Sequence, residues 1–336
     1  MTDGTTKVAI VATPGCIGST VHGVLDVFAC ANVCASQRTA HALPFEVRVA
    51  SPDGQAVSGY NRRMIEVDGD LSVAKDCDVI LLAPIMPALS NADAIASKIE
   101  RLRDVTIWLR ARAGTAACIA TSCTGSFLLA EAGLLDGKVA TTHWHAAQIF
   151  RTRYPRVLLR EGELVTEDGN LVCGGGALAY VDLAIHLVRR FGDPQLALHC
   201  ARMLVFDPGR QGQSPYLAAE PRMAHGDRAI HHVQAWLETN YWRDLDVESV
   251  AQRFGMSSRT LKRRFKAACG EPFTNYLQRL RVVAARDRLA TSDASIQQII
   301  LDVGYSDISS FGRLFKAQTG TTMAEYRRRL RIRPTT

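Results

Sequence analysis

The last hundred residues repeat themselves, and that repeat constrains the fold more than any other feature. Phe265-Lys266-Ala267, Gly270, Tyr276 and Arg279-Leu280-Arg281 recur 50 residues later as Phe315-Lys316-Ala317, Gly320, Tyr326 and Arg329-Leu330-Arg331. Upstream, Gly255 matches Gly304 at an offset of 49, so the second copy holds one extra residue in its turn or second helix. A duplicated unit of this length must fold twice in the same way.

Each copy reads as two helices around a tight turn. In the first, Asp246 caps a helix whose apolar residues Val247, Val250, Ala251 and Phe254 follow helical spacing. Gly255 ends it, because the turn needs a residue that tolerates positive φ. Ser257 caps a second helix with Leu261 and Phe265 inward, which leaves Ser258, Arg259, Lys262, Arg263 and Lys266 outward. In the second copy Ser295 caps a helix carrying Ile296, Ile299, Ile300 and Val303. Gly304 and Tyr305 turn, and Ser306 or Asp307 caps a helix with Phe311 and Phe315 inward. Its outward face, Ser309, Ser310, Arg313 and Lys316, is less basic and richer in hydroxyls, which suits phosphate anchoring with modest base readout. A long helix over Pro272–Leu289 joins the copies. A helix, a glycine turn and a capped helix with a basic face form a helix-turn-helix, whose second helix enters the DNA major groove.

Charge agrees. From Arg228 onward there are 19 Lys and Arg against 10 Asp and Glu, whereas the whole chain of 336 residues nets only +7. The excess is confined to the repeat and directs it at a polyanion. A solvated basic side on an ordinary helical bundle is the plain alternative, and the paired turn signatures weigh against it. Nine scattered cysteines without CxxC spacing fit a reducing cytosol, with no metal site and no cofactor. The longest apolar stretch, Ala116–Leu135, is broken by hydroxyls, Gly125 and Glu131, so no membrane span is expected and a cytoplasmic location is.

The first two hundred residues alternate in type. Lys7–Thr13, Phe45–Ser51, Asp78–Ala83 and Ala116–Thr121 are short apolar runs suited to strands buried on both faces. Ala92–Ala113 and Ala177–Phe191 read as helices, Val57–Val67 as a hairpin and Val157–Cys173 as a strand pair. Such alternation predicts a parallel sheet between helices. Residues 207–227 lose periodicity and gather Pro208, Gly209, Gly212, Pro215, Pro221 and Gly226, which marks a linker. The domains predicted are 1–206, a linker over 207–227, and 228–336, with the helix-turn-helix units near 246–267 and 295–318.

Between Ala117 and Ala130 an apolar strand runs into a small-residue turn holding Cys123 and then a helix. This is a nucleophile elbow, in which the helix N-terminus would lower the thiol pKa. Twenty residues on, His143 offers a base and Trp144 follows it. A buried structural cysteine is the default reading of Cys123, and plain core is an equally natural reading of Trp144.

The tail resembles the AraC/XylS family of bacterial transcription regulators, most specifically over GYSDISSFGRLFKAQTG. Residues 7–205, with CTGSFLLAEAGLLDGKVATTHW as the most specific piece, resemble the PfpI-like branch of the class I glutamine amidotransferase-like fold. Together they resemble the GlxA-type regulators that join the two. The resemblance implies an α/β, flavodoxin-like parallel sheet sandwich followed by an all-α double helix-turn-helix domain. It also implies a pocket at the strands' carboxyl ends lined by Cys123, His143, Thr20, Pro84 and Trp144. The catalytic pattern is incomplete. Thr20 stands where catalytic members place a Glu, Pro84 cannot donate an oxyanion N–H, and His145 replaces the carboxylate that orients the base.

The expectation is therefore a transcription regulator, acting as an activator, whose former enzyme pocket senses a small, nitrogenous metabolite. Its partners would be promoter DNA, that effector, RNA polymerase and a second copy of itself. A Cys-dependent hydrolase or amidase and a regulator sensing oxidation of Cys123 are the rivals.

Overall fold

The computed structural model describes residues 4–39, 42–86, 89, 91–112, 114–115, 117–210, 212–213 and 225–331. The chain divides into two compact units, Met1–Gln213 and Ser214–Thr336.

The N-terminal unit opens with strand β1 (Thr6–Val11), helix α1 (Gly18–Arg38) and strand β2 (Phe45–Ala50). A small hairpin, β3 (Val57–Ser58) with β4 (Met64–Ile65), precedes β5 (Val79–Leu82). Helices α2 (Ala92–Arg101) and α3 (Arg103–Arg110) lead to β6 (Cys118–Ser122) and α4 (Ser126–Glu131). Then come β7 (Val139–Ala140), α5 (Ala147–Arg153), β8 (Leu158–Leu159), β9 (Val165–Asp168) and β10 (Leu171–Gly174), and finally α6 (Tyr180–Phe191) and α7 (Pro194–Met203).

Six strands form one sheet in the order β2-β1-β5-β6-β10-β9, parallel except for β9 against β10. Every residue of β5 and β6 is buried, as continuous apolar runs require when helices cover both faces. On one face α1, α6 and α7 pack through Val21, Val24, Phe28, Leu183, Leu187 and Cys200. On the other, Ile95, Leu109, Phe127, Leu128 and Phe150 come from α2 to α5. The run 92–113, expected as one helix, breaks at Leu102, whose φ of −109° and ψ of 24° leave the helical region; Ala113 lies outside the described residues.

Part of the expected linker is folded. Arg210 pairs with Asp182 of α6, and Gln213 is buried against residues 141–144, so residues up to 213 belong to the first unit. Pro215 and Pro221 lie outside the described residues.

The C-terminal unit is all helical: α8 (Arg228–Asn240), α9 (Val247–Arg253), α10 (Ser258–Cys269), α11 (Phe273–Thr291), α12 (Ile296–Asp302), α13 (Ile308–Thr319) and α14 (Met323–Leu330). The caps fall where the local chemistry places them. Asp246, Ser257, Ser295 and Asp307 each accept an N–H of the helix that follows. Gly255 and Gly304 take φ of +66° and +85° in the two turns. Two cores result, one around Leu261, Phe265 and Tyr276, the other around Ile299, Phe311 and Phe315. Helix α11 serves both, through Phe273 to Leu280 in the first and Val282 to Leu289 in the second.

Candidate functional site

Helices α10 and α13 are the second helices of the two turns. On α10, Arg259, Lys262, Arg263 and Lys266 are exposed, with Ser258 half-buried in the first turn. On α13, Ser309, Arg313 and Lys316 are exposed and Ser310 is half-buried. Leu261, Phe265 and Cys269, and likewise Phe311, Phe315 and Thr319, hold the opposite faces down. Among the described residues, none of these six cations has an ion-pair partner, so their charge is directed outward. Their neighbour Arg264 is different. It is turned back onto Asp227, the cap of α8, through donors at 2.6 and 2.9 Å, and it fixes α10 on the first core.

In the other unit, the residues expected to line a pocket gather at the carboxyl ends of the strands. Cys123 follows β6 directly with φ of +55°, a conformation strained for a residue with a side chain. Gly125 makes the turn possible, since a Cβ there would overlap the hydroxyl of Thr121. The Thr142 and Ser126 hydroxyls donate to the Cys123 carbonyl at 3.2 and 3.0 Å. That ties the elbow to the segment carrying His143. Pro84, just past β5, accepts the Ile17 N–H before α1, and the Thr124 hydroxyl donates to the Ile85 carbonyl. Thr20 lies in the first turn of α1 and is fully buried.

The chemistry of the elbow departs from the expectation in one respect. Burial pushes the Cys123 thiol up to about 11, although the Thr124 N–H and hydroxyl act in the opposite sense. The expected lowering by a helix N-terminus does not appear. Only 1% of the residue is exposed and α4 is six residues long, so desolvation outweighs a weak dipole. Burial, then the neighbouring His145, lower His143 to about 4. Its Nδ1 accepts the His145 N–H at 3.2 Å, and no hydrogen bond joins it to Cys123 among the described residues. Among the described residues the thiol therefore lacks the hydrogen-bonded base that would activate it as a nucleophile.

Three hydroxyls at this end of the sheet are fully buried and have no hydrogen-bond partner among the described residues: Thr13 after β1, Thr20 in α1 and Ser122 at the end of β6. Each is the kind of group that normally finds a partner. Among the described residues, no group of three or more His, Cys, Asp or Glu is arranged to hold a metal, and no helix is long and apolar enough to cross a membrane.

Comparison with known proteins follows this division. The family described as a helix-turn-helix domain matches residues 250–329, which span both turns. The chain is 29% identical to the HTH-type transcriptional regulator CdhR of Pseudomonas aeruginosa, covering 85% of this chain and 83% of that one. It is 31% identical to the HTH-type transcriptional regulator GlxA of Rhizobium meliloti over 61% of this chain and 64% of the relative. The chain is a DNA-binding transcription regulator with an AraC-type helix-turn-helix domain. The regulator's N-terminal unit has the fold of Drosophila melanogaster DJ-1beta, with TM-score 0.50, 20% identity, and 61% of this chain and all of that one covered. A THiJ/PfpI family protein from Pseudomonas syringae matches with TM-score 0.50 and 18% identity over 70% of this chain and 86% of its own.

The elbow and the second helix of each turn lie where the sequence pattern places them, whereas several other residues carry no such signal. Thr13 and Ser122 read as ordinary strand-end hydroxyls, and only burial singles them out. Gln213 sat in a stretch assigned to the linker. Its side-chain nitrogen donates to the Thr142 carbonyl at 2.7 Å while its oxygen accepts the Trp144 N–H at 3.2 Å.

Proposed function

We propose that the regulator binds promoter DNA through α10 and α13 and senses a small molecule at the carboxyl ends of β1, β5 and β6. The observation that carries the sensor reading is the trio of buried, unpartnered hydroxyls. Leaving such groups unpaired costs about 1–3 kcal/mol each, which a polar ligand bonded to them would recover. In this reading Cys123, His143, Thr20, Pro84 and Trp144 line the site, without a catalytic step. Nitrogenous metabolites fit the neutral acceptors and donors present there, and the named relatives, all transcriptional regulators, support a regulatory output.

For DNA, Ser258, Arg259, Lys262, Arg263 and Lys266 read one major groove, while Ser309, Ser310, Arg313 and Lys316 anchor in the next. A homodimer would present four such helices to repeated half-sites, and an activator would place RNA polymerase beside them, both in the cytoplasm. The test is an operator-binding titration of the full chain in the presence of a metabolite panel, repeated with Thr20→Val and Ser122→Ala. A compound that changes operator affinity in the parent protein, and not in these variants, supports the reading. An effect that survives both substitutions refutes the pocket.

A further inference from the structure

The sheet order β2-β1-β5-β6 reverses direction between β1 and β5: the chain leaves β1 for the outer strand β2, then returns past it to β5. Loops after the two strands therefore diverge, and open α/β sheets bind ligands in the crevice this leaves. Here the crevice is a cleft of about 630 Å³ between Gly15 and Met86, walled by Tyr60 of the β3–β4 hairpin and by Lys98, Arg101 and Leu102 of α2 and its end.

Its charge is unbalanced. Lys98 and Arg101 line the cleft, and among the described residues no carboxylate lines it and neither cation is in an ion pair. The Lys98 ammonium donates to the Pro14 carbonyl, which leaves two of its N–H donors for another partner. Gly15, at φ +75°, is what lets it approach, because a Cβ there would stand 2.7 Å from Nζ. Burial and then Arg101 lower the Lys98 pKa, the cost of two cations held close without a counterion. Cys16 does not supply the missing charge, since burial raises its thiol. By contrast, the cleft between α6, α7 and residues 163–165 holds Asp182 with Arg210 and, beside them, His186 with Glu167, groups already matched within the protein.

We propose that this cleft binds the oxyanion end of a small molecule, a carboxylate or a phosphate. Arg101 offers the two-pronged donor set and Lys98 the point charge, while Tyr60, Met86 and Leu102 contact the carbon body. The proposal rests on the sensor reading above and places the charged end of the ligand in this cleft, whose described lining is separate from Thr20, Cys123 and His143.

The test uses the full chain in thermal-shift and calorimetric titrations. Probes are acetate, benzoate, succinate and glutamate, each beside its amide, and inorganic phosphate and glycerol phosphate beside glycerol. At least one acid is expected to bind where its neutral counterpart does not. A Lys98→Met/Arg101→Met double variant should weaken that binding at least about tenfold, as expected for loss of charge-assisted hydrogen bonds. Binding by the carboxylates alone, or by the phosphates alone, identifies the source of the oxyanion. Equal binding of acid and amide, unchanged binding in the double variant, or no binding by any acid or phosphate overturns the proposal. If a neutral probe binds and Thr20→Val abolishes it, the sensor reading stands while the anion site falls. If nothing binds and operator affinity responds to no probe, both fall.

Discussion

The guanidinium of Arg281 lies over the ring of Tyr305 at 5.1 Å and donates to the carbonyls of Tyr241 and Arg243, each at 2.8 Å. Three segments meet at this side chain: helix α11, the turn between α8 and α9, and the turn of the second helix-turn-helix. It thereby joins the two cores of the C-terminal unit. Replacing it by Met should cost about 2–4 kcal/mol, since two carbonyls lose a charged donor and a cation–π contact disappears. Urea unfolding of the variant checks this, and Arg281→Lys should restore only part, because a single ammonium cannot span both carbonyls and stack.

Gly304 supports the same junction from the other side. Its φ is +85° and a Cβ would stand 2.5 Å from the Trp242 carbonyl oxygen, which is backbone and cannot step aside. Gly304→Ala should destabilise the unit by several kcal/mol, well beyond the roughly 1 kcal/mol of a left-handed conformation alone. Gly255 has positive φ but open space around it, so Gly255→Ala should cost only that smaller amount. Equal melting temperatures for the two variants would contradict the close approach.

The recognition helices should differ in what their loss does. Arg259→Ala or Arg263→Ala should cost about 1–3 kcal/mol and relax base preference in one half-site. Lys316→Ala should weaken all sequences alike and reduce the salt dependence by about one counterion. Binding curves on randomised half-sites at several salt concentrations separate these outcomes.

Cys123 should behave as an inert thiol. With its pKa near 11 and 1% exposure, iodoacetamide at neutral pH should leave it unmodified in the folded protein and label it fully after denaturation. Rapid labelling of the native chain, traced to Cys123 by mass spectrometry, would reopen the hydrolase and redox readings.

The depressed pKa of His143 gives a pH signature. Its folded value near 4 lies below the ordinary 6.5, so between these values the unfolded chain binds more protons. Stability of the N-terminal unit should therefore be fullest above pH 6.5 and fall as the solution is acidified toward pH 4. His143→Gln should flatten that part of the melting-temperature profile.

The residues explain which features could be read in advance. The repeat was legible because caps such as Asp246 and Ser257, and turns such as Gly255, act over three or four residues. The buried strands were legible because burial on both faces requires apolar runs such as Val79–Leu82. Orphaned hydroxyls were not, since Thr13 and Ser122 become unusual only when helices close over the sheet. Arg281 belongs to the repeated Arg-Leu-Arg motif, and its counterpart in the second copy, Arg331, makes a surface ion pair with Asp293. Identical motif positions thus do different work, because only one of them faces the junction between the two cores.

Gln213 is where the first unit ends, and it is held by the backbone of Thr142 and Trp144 on either side of His143. The path toward the DNA-binding helices therefore starts from the wall of the proposed pocket. Any displacement of the 142–144 segment would be felt at Gln213, the last described residue of the first unit.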